Sequence, residues 1–145
     1  MMMALFSPIN HLPLLLIILI TIPGCEDEKA NEISALDELQ GTWIGSEVGN
    51  ESFGDWTFIV EGNSITVIAP GNYELYVATI VVDNSVHPHS VVATIHDSNF
   101  EEFIGEQSFG LYSIDGNHLT ITAHMPGSGT SPTSLYDGRT WELYK

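Results

Sequence analysis

Tyr112-Ser-Ile-Asp-Gly-Asn-His-Leu-Thr-Ile-Thr-Ala123 reads as a strand, a tight turn and a second strand. Leu119, Ile121 and Ala123 alternate with His118, Thr120, Thr122 and His124, the period of an antiparallel strand with one packed and one wetted face. Asp115-Gly116-Asn117 supplies residues that accept positive φ, so the two runs join as a hairpin. The same period recurs outward in both directions. Trp56, Phe58 and Val60 alternate with Thr57 and Ile59; Ile65 and Val67 with Ser64 and Thr66; Trp141 and Leu143 with Thr140, Glu142 and Tyr144. Gly62-Asn63 and Pro70-Gly71 mark two more tight turns. The pattern predicts strands near 42–48, 55–60, 64–69, 72–83, 89–96, 104–114, 118–125 and 139–144. Consecutive hairpins, no long helix and an even count predict a small all-β fold, an up-and-down antiparallel eight-stranded barrel whose closure removes exposed edges. A β-sandwich of the same strands is the alternative.

Upstream of the strands the period changes. Ile33, Leu36 and Leu39 recur at spacing three, and Ser34 with Asp37 three residues on suits a helix start, predicting a short N-terminal helix that closes one barrel end. Glu26-Asp-Glu-Lys-Ala-Asn-Glu32 is acidic and nearly free of apolar residues, a solvated tether. Leu14-Leu-Leu-Ile-Ile-Leu-Ile20, flanked by Leu12 and Ile22, suits the apolar region of an export signal. It is shorter than the roughly 18–20 apolar residues that span a bilayer. The expected organisation is a signal peptide over 1–24, a tether over 25–32 and one domain over 33–145. Pro126-Gly-Ser-Gly-Thr-Ser-Pro-Thr-Ser134 reads as a mobile loop.

Ile22-Pro23-Gly24-Cys25 resembles a bacterial lipobox. The resemblance implies cleavage before Cys25, acylation of that cysteine and attachment to a membrane through the lipid. Cys25 is the only cysteine, so no internal disulfide can form. Glu26 differs from the aspartate that commonly retains such proteins in the inner membrane, and the acidic run resembles that of surface-exported lipoproteins. The expected location is the cell envelope, at the outer membrane. Gly41-Thr42-Trp43 resembles the G-x-W signature of lipocalins and the wider calycins. That resemblance implies that Trp43 plugs one end of the barrel and that Arg139, from the last strand, lies across its ring as a cation–π partner. Leu39-Gln-Gly-Thr-Trp43, Tyr112-Ser-Ile-Asp-Gly-Asn-His-Leu119 and Trp141-Glu-Leu-Tyr144 are similar to the lipocalin-like domains of small bacterial lipoproteins, over nearly all of 39–145. At about 105 residues the barrel is short for that family, and small barrels can be filled by their own side chains.

Nineteen acidic residues against three basic ones give a net charge of −16, which argues against nucleic acid as a partner and against adhesion to anionic lipid. It leaves a solvated surface, a cation or a cationic partner. No nucleophile elbow, phosphate-cradling loop or cofactor motif is present, and the expectation is a non-enzymatic protein without cofactor. His87-Pro-His89 with Asp83, the pair His118 and His124, and the acidic stretch 97–102 are candidate metal ligands. None has the ligand number or spacing of a closed zinc or EF-hand site, and no metal is expected. Glu74, Glu106 and Glu142 would act as catalytic carboxylates only if they converged across a cleft. Trp56, Phe58, Tyr73, Tyr76, Phe109, Tyr112 and Trp141 are either the core or the wall of a pocket for a small apolar ligand. A ligand carrier predicts a cavity of about 300 Å³ or more. A structural or protein-interaction lipoprotein predicts a filled barrel. An envelope enzyme needs two titratable groups in reach of each other in a cleft.

Overall fold

Half-apolar alternation produces eight antiparallel strands in the computed structural model, which describes residues 35–145. They are β1 Gly41–Glu47, β2 Trp56–Glu61, β3 Ser64–Ala69, β4 Tyr73–Asp83, β5 His89–Ser98, β6 Gln107–Asp115, β7 His118–Ala123 and β8 Arg139–Tyr144. Each pairs with the next, and β8 returns to β1 through Ile44↔Tyr144 to Glu47↔Trp141, closing an up-and-down barrel rather than a sandwich. The signal peptide, Cys25, the tether and the expected capping of Ser34 lie outside the described residues. Of the expected helix, residues 35–39 are described and helical (α1). Among the described residues no helix is long and apolar enough to cross a membrane.

The hairpins follow their turn residues. Gly62 and Gly116, each at φ 60°, open two-residue loops, where a glycine with positive φ matches the right-handed twist of the flanking strands. The expected sixth strand began three residues too early. Glu101–Phe103 forms a 3-10 turn instead, and Gly105 at φ 88° redirects the chain into β6.

One end of the barrel is packed shut. α1 buries Ala35 and Leu39 over Trp43, which is 1 % exposed and donates its indole N–H to the Leu39 carbonyl at 2.8 Å. Gln40 fastens the helix to the β2–β3 turn: its amide donates to the Leu36 and Gly62 carbonyls and accepts from the Gly62 N–H at 2.7 Å. Tyr112, Leu119, Leu143, Val60 and Val82 are buried along the inner wall.

The segment expected to be a mobile loop is folded against the barrel. Thr122 and Thr140 face outward from β7 and β8 with their hydroxyls 2.5 Å apart, and both are buried. Thr122 Oγ1 accepts the Tyr136 N–H at 2.9 Å, while the Gly127 N–H reaches the Gln107 carbonyl at 3.0 Å. Thr133 donates both its N–H and its hydroxyl to Asp137 Oδ2 at 2.7 Å. Tyr136, just past the segment, is the residue that reaches the outward Thr122 hydroxyl.

The seam between β1 and β8 depends on Gly45. A Cβ there would stand 2.0 Å from the Glu142 carbonyl oxygen and 2.9 Å from Leu143 Cα, both backbone atoms that cannot swing aside. Gly45→Ala is expected to cost about 3 kcal/mol in urea unfolding. Amide exchange should accelerate more in β1 and β8 than in β4 and β5.

Candidate functional site

The end opposite Trp43 is open. Inward positions there are small on one side of the barrel, with Ala93, Ser108, Gly110 and Ala123 on β5, β6 and β7. They face Trp56, Phe58, Tyr76 and Trp141 from β2, β4 and β8. This mismatch of sizes leaves a cavity of about 330 Å³ at the mouth, walled chiefly by apolar atoms. A deeper recess of about 30 Å³ shares Tyr76, Ser108, Ala123 and Trp141 with it. A wider and shallower groove runs outside the rim between Asn50, Phe53 and Pro70 and meets the cavity at Trp56 and Arg139.

Two register irregularities shape the rim. Leu75 on β4 has no partner between Val67↔Tyr76 and Ile68↔Glu74, and His96 on β5 is skipped between Val77↔Asp97 and Ala78↔Ile95. Such bulges bend a strand and re-aim its side chains, here bringing both Leu75 and Tyr76 to the cavity. Phe100 and Phe103, with ring centroids 5.4 Å apart, overhang the opening from the Glu101–Phe103 turn. Ser98 holds that turn by donating to the Leu75 carbonyl at 2.9 Å and accepting the Phe100 N–H at 3.0 Å. Asn99 donates to the Glu74 carbonyl beside it.

At the rim, between the cavity and the outer groove, lies an ion pair. Arg139 donates through Nε and Nη2 to the two oxygens of Glu47 at 2.8 and 2.7 Å. Its guanidinium sits 5.1 Å from the Trp56 ring and 5.2 Å from the Trp141 ring. The two indoles meet edge to face at 5.4 Å, and Phe58 packs on Trp141 at the same distance. The hydrogen bonds from Arg139 hold the Glu47 carboxyl below the usual carboxylate value despite its burial, and the same bonds raise Arg139. Burial pushes the Tyr76 hydroxyl up to about 12 against the pull of the nearby Arg139 charge, so it stays protonated and able to donate a hydrogen bond at neutral pH.

The aromatic set expected to line a pocket divides. Trp56, Tyr76 and Trp141 wall the cavity, and Phe58 walls the recess. Tyr73 does not: it is exposed on the rim against Phe100, ring centroids 6.4 Å apart. Phe109 points outward, because Ser108 and Gly110 on either side of it take the inward positions. Tyr112 is buried away from the cavity, its ring against His89 at 5.2 Å and its hydroxyl pushed up to about 12 by burial.

The cation expected over Trp43 also changes. Lys145 Nζ lies 4.4 Å from the Trp43 ring centre, whereas Arg139 is over Trp56 and Trp141. Register is the reason. Tyr144 pairs with Ile44, so the last residue of the chain reaches the closed end, and Arg139 starts β8 six residues, or about 20 Å, away at the mouth.

The other polar candidates sit elsewhere. His87 and His89 have ring centroids 4.1 Å apart, with His89 Nδ1 bonded to the Val86 carbonyl and the Asp83 carboxylate occupied by Ser85. His124 leaves β7 to bond the Asp137 carbonyl at 2.9 Å and Thr130 Oγ1 at 2.8 Å, fixing the β7–β8 loop beside the cavity. Glu142 lies on the outer wall, in contact with His118 and accepting from Thr120 at 3.1 Å and Tyr136 at 2.5 Å. Burial would raise its carboxyl, but these donors together lower it. Among the described residues no three His, Cys, Asp or Glu side chains are grouped to hold a metal ion. Glu47, Leu75, Phe100, Phe103 and Met125 belong to the mouth and were not anticipated; only Glu47, two alternations on from Trp43 and therefore inward, left a readable sign.

The closed eight-stranded barrel is compatible with a lipocalin-like fold. No protein-family model, curated protein or solved structure matches the chain.

Arg139→Met would strand Glu47, whose side chain is 10 % exposed. Its expected cost is about 2 kcal/mol, below that of a fully buried pair because the Arg139 side chain is 39 % exposed. The double variant Arg139→Met/Glu47→Gln should recover most of that in a denaturation cycle. Because the Glu47 carboxyl is depressed in the folded state, its contribution is present above the ordinary value of 4.5 and is lost as pH falls through the lowered one. Acid unfolding of Glu47→Gln should therefore be shallower than that of the parent.

Proposed function

We propose that this protein is a non-enzymatic, lipid-anchored envelope lipoprotein whose lipocalin-like barrel binds a small, mainly apolar ligand in its mouth. The single observation that supports ligand binding is the cavity of about 330 Å³, roofed by Phe100 and Phe103 and bordered by Arg139, which Glu47 holds beside two indoles. Its size is at the lower end of small-molecule sites, and its wall has their usual character, apolar with a few placed polar groups. A filled barrel would be expected to carry large side chains on β5 to β7, where this chain has Ala93, Ser108, Gly110 and Ala123. The lipoprotein part of the reading rests on Ile22-Pro23-Gly24-Cys25 following an apolar run, and on the acidic tether after it. A tether of that kind would leave the barrel in water while the acyl chains hold it to the membrane.

The uncharged fluorophore N-phenyl-1-naphthylamine should bind one-to-one and saturably, with Kd on the order of 10 µM, and quench Trp56 and Trp141. Ala123→Phe, which fills the mouth, should abolish that binding while the barrel still unfolds cooperatively. Absence of saturable binding to the parent chain would refute the carrier reading. Separately, labelled palmitate should enter the parent chain in a bacterial host and fail to enter Cys25→Ser.

A further inference from the structure

We infer that the mouth cavity selects an electrically neutral ligand presenting a hydrogen-bond acceptor, a carbonyl or ether oxygen on an apolar body, over a carboxylate or an amine. This rests on the reading of the cavity as a binding site and concerns which head group that site prefers.

The polar atoms around the cavity are mostly unspent donors. Trp141 is 5 % exposed and walls both the cavity and its recess, yet its buried indole N–H meets no acceptor. An N–H left in that condition loses its bonds to water without replacement, and because it has almost no accessible surface, a small turn of the indole is what brings it to a ligand's acceptor. Tyr76, on the same two walls, makes no hydrogen bond to a described residue, and its raised hydroxyl keeps its proton. Arg139 spends Nε and one Nη2 hydrogen on Glu47; its other guanidinium hydrogens face no described acceptor. Ser108 has already committed its proton to the His124 carbonyl at 2.8 Å.

Charge then separates the possible acceptors. The positive charge of Arg139 is matched by the bidentate Glu47 carboxylate, and Glu102 on the rim has no cationic partner among the described residues. The lining therefore carries no net positive charge, within a chain of net charge −16. A carboxylate entering it would lose water without gaining a counter-charge. An ammonium would find its own kind of group, donors, at the inner wall, and the Glu102 carboxylate only at the exposed rim, where water screens it. A neutral acceptor avoids both costs.

The test uses the full chain in lipid nanodiscs, with Ala123→Phe nanodiscs subtracting partition into the bilayer. Four probes of equal chain length are titrated near neutral pH: 2-decanone, decanoate, decylamine and decane. The expected result is that 2-decanone binds about three- to tenfold more tightly than decane and than either ion. It should also move the indole 15N–1H resonance of Trp141, assigned through Trp141→Phe. Tyr76→Phe and Trp141→Phe should each bring the ketone-to-decane affinity ratio toward one. Decanoate or decylamine binding as tightly as the ketone would overturn the inference. Equal binding of decane and ketone with an unmoved Trp141 resonance would do the same, and both results would leave the apolar site standing. Failure of all four probes to bind would overturn the carrier reading itself.

Discussion

Closure of β8 onto β1 constrains everything else in this barrel. Eight strands of modest length enclose a fixed interior, and the chain must fill it with the side chains that alternation turns inward. Near α1 those are large: Trp43, Tyr112, Leu119 and Leu143 pack to near-complete burial. Toward the other end β5 to β7 contribute alanine, serine and glycine, and the aromatic rings of β2, β4 and β8 cannot reach across. The cavity is thus a consequence of residue size at inward positions within a perimeter that Gly45 allows to close.

Each end has a cation over an indole, but the two serve different purposes. Lys145 covers Trp43 where the helix has already sealed the barrel, and its ammonium remains near water and the Glu38 carbonyl at 3.5 Å. Arg139 is held by two hydrogen bonds and two ring faces at once. A planar guanidinium can satisfy both demands, bonding in its plane and stacking on its faces, where an ammonium cannot. Four contacts on one side chain fix the rim of the mouth.

The strand order and most strand limits were legible because period-two alternation and Gly-Asn turns are local signals, and closure followed from an even count of strands joined by consecutive hairpins. Half of the site was not. Tyr73 and Phe109 have the same composition signal as Tyr76 and Trp141, yet one lies at the rim and the other on the outward face. Sequence gives the alternation but loses phase at a bulge, and β4 is bulged just where Leu75 and Tyr76 reach the cavity. The exchange of Lys145 for Arg139 over Trp43 had a similar origin. A resemblance named the ring and an arginine; only the register of β8 against β1 tells which residue of the strand arrives there. The loop 126–134 carries no such local signal: Gly127 finds its partner in Gln107 and Thr130 in His124, residues outside the segment.

The groups around the mouth are tied to one another by hydrogen bonds made on folding. The turn over the cavity is held to the bulge by Ser98 and Asn99, the β7–β8 loop by His124, and Arg139 by Glu47. Those bonds form on folding, so under the proposed carrier reading a ligand would meet Trp56, Trp141 and Phe103 with part of the wall's ordering cost already met. For the ligand proposed above, the inner wall offers donors set beside a charge that Glu47 has already matched.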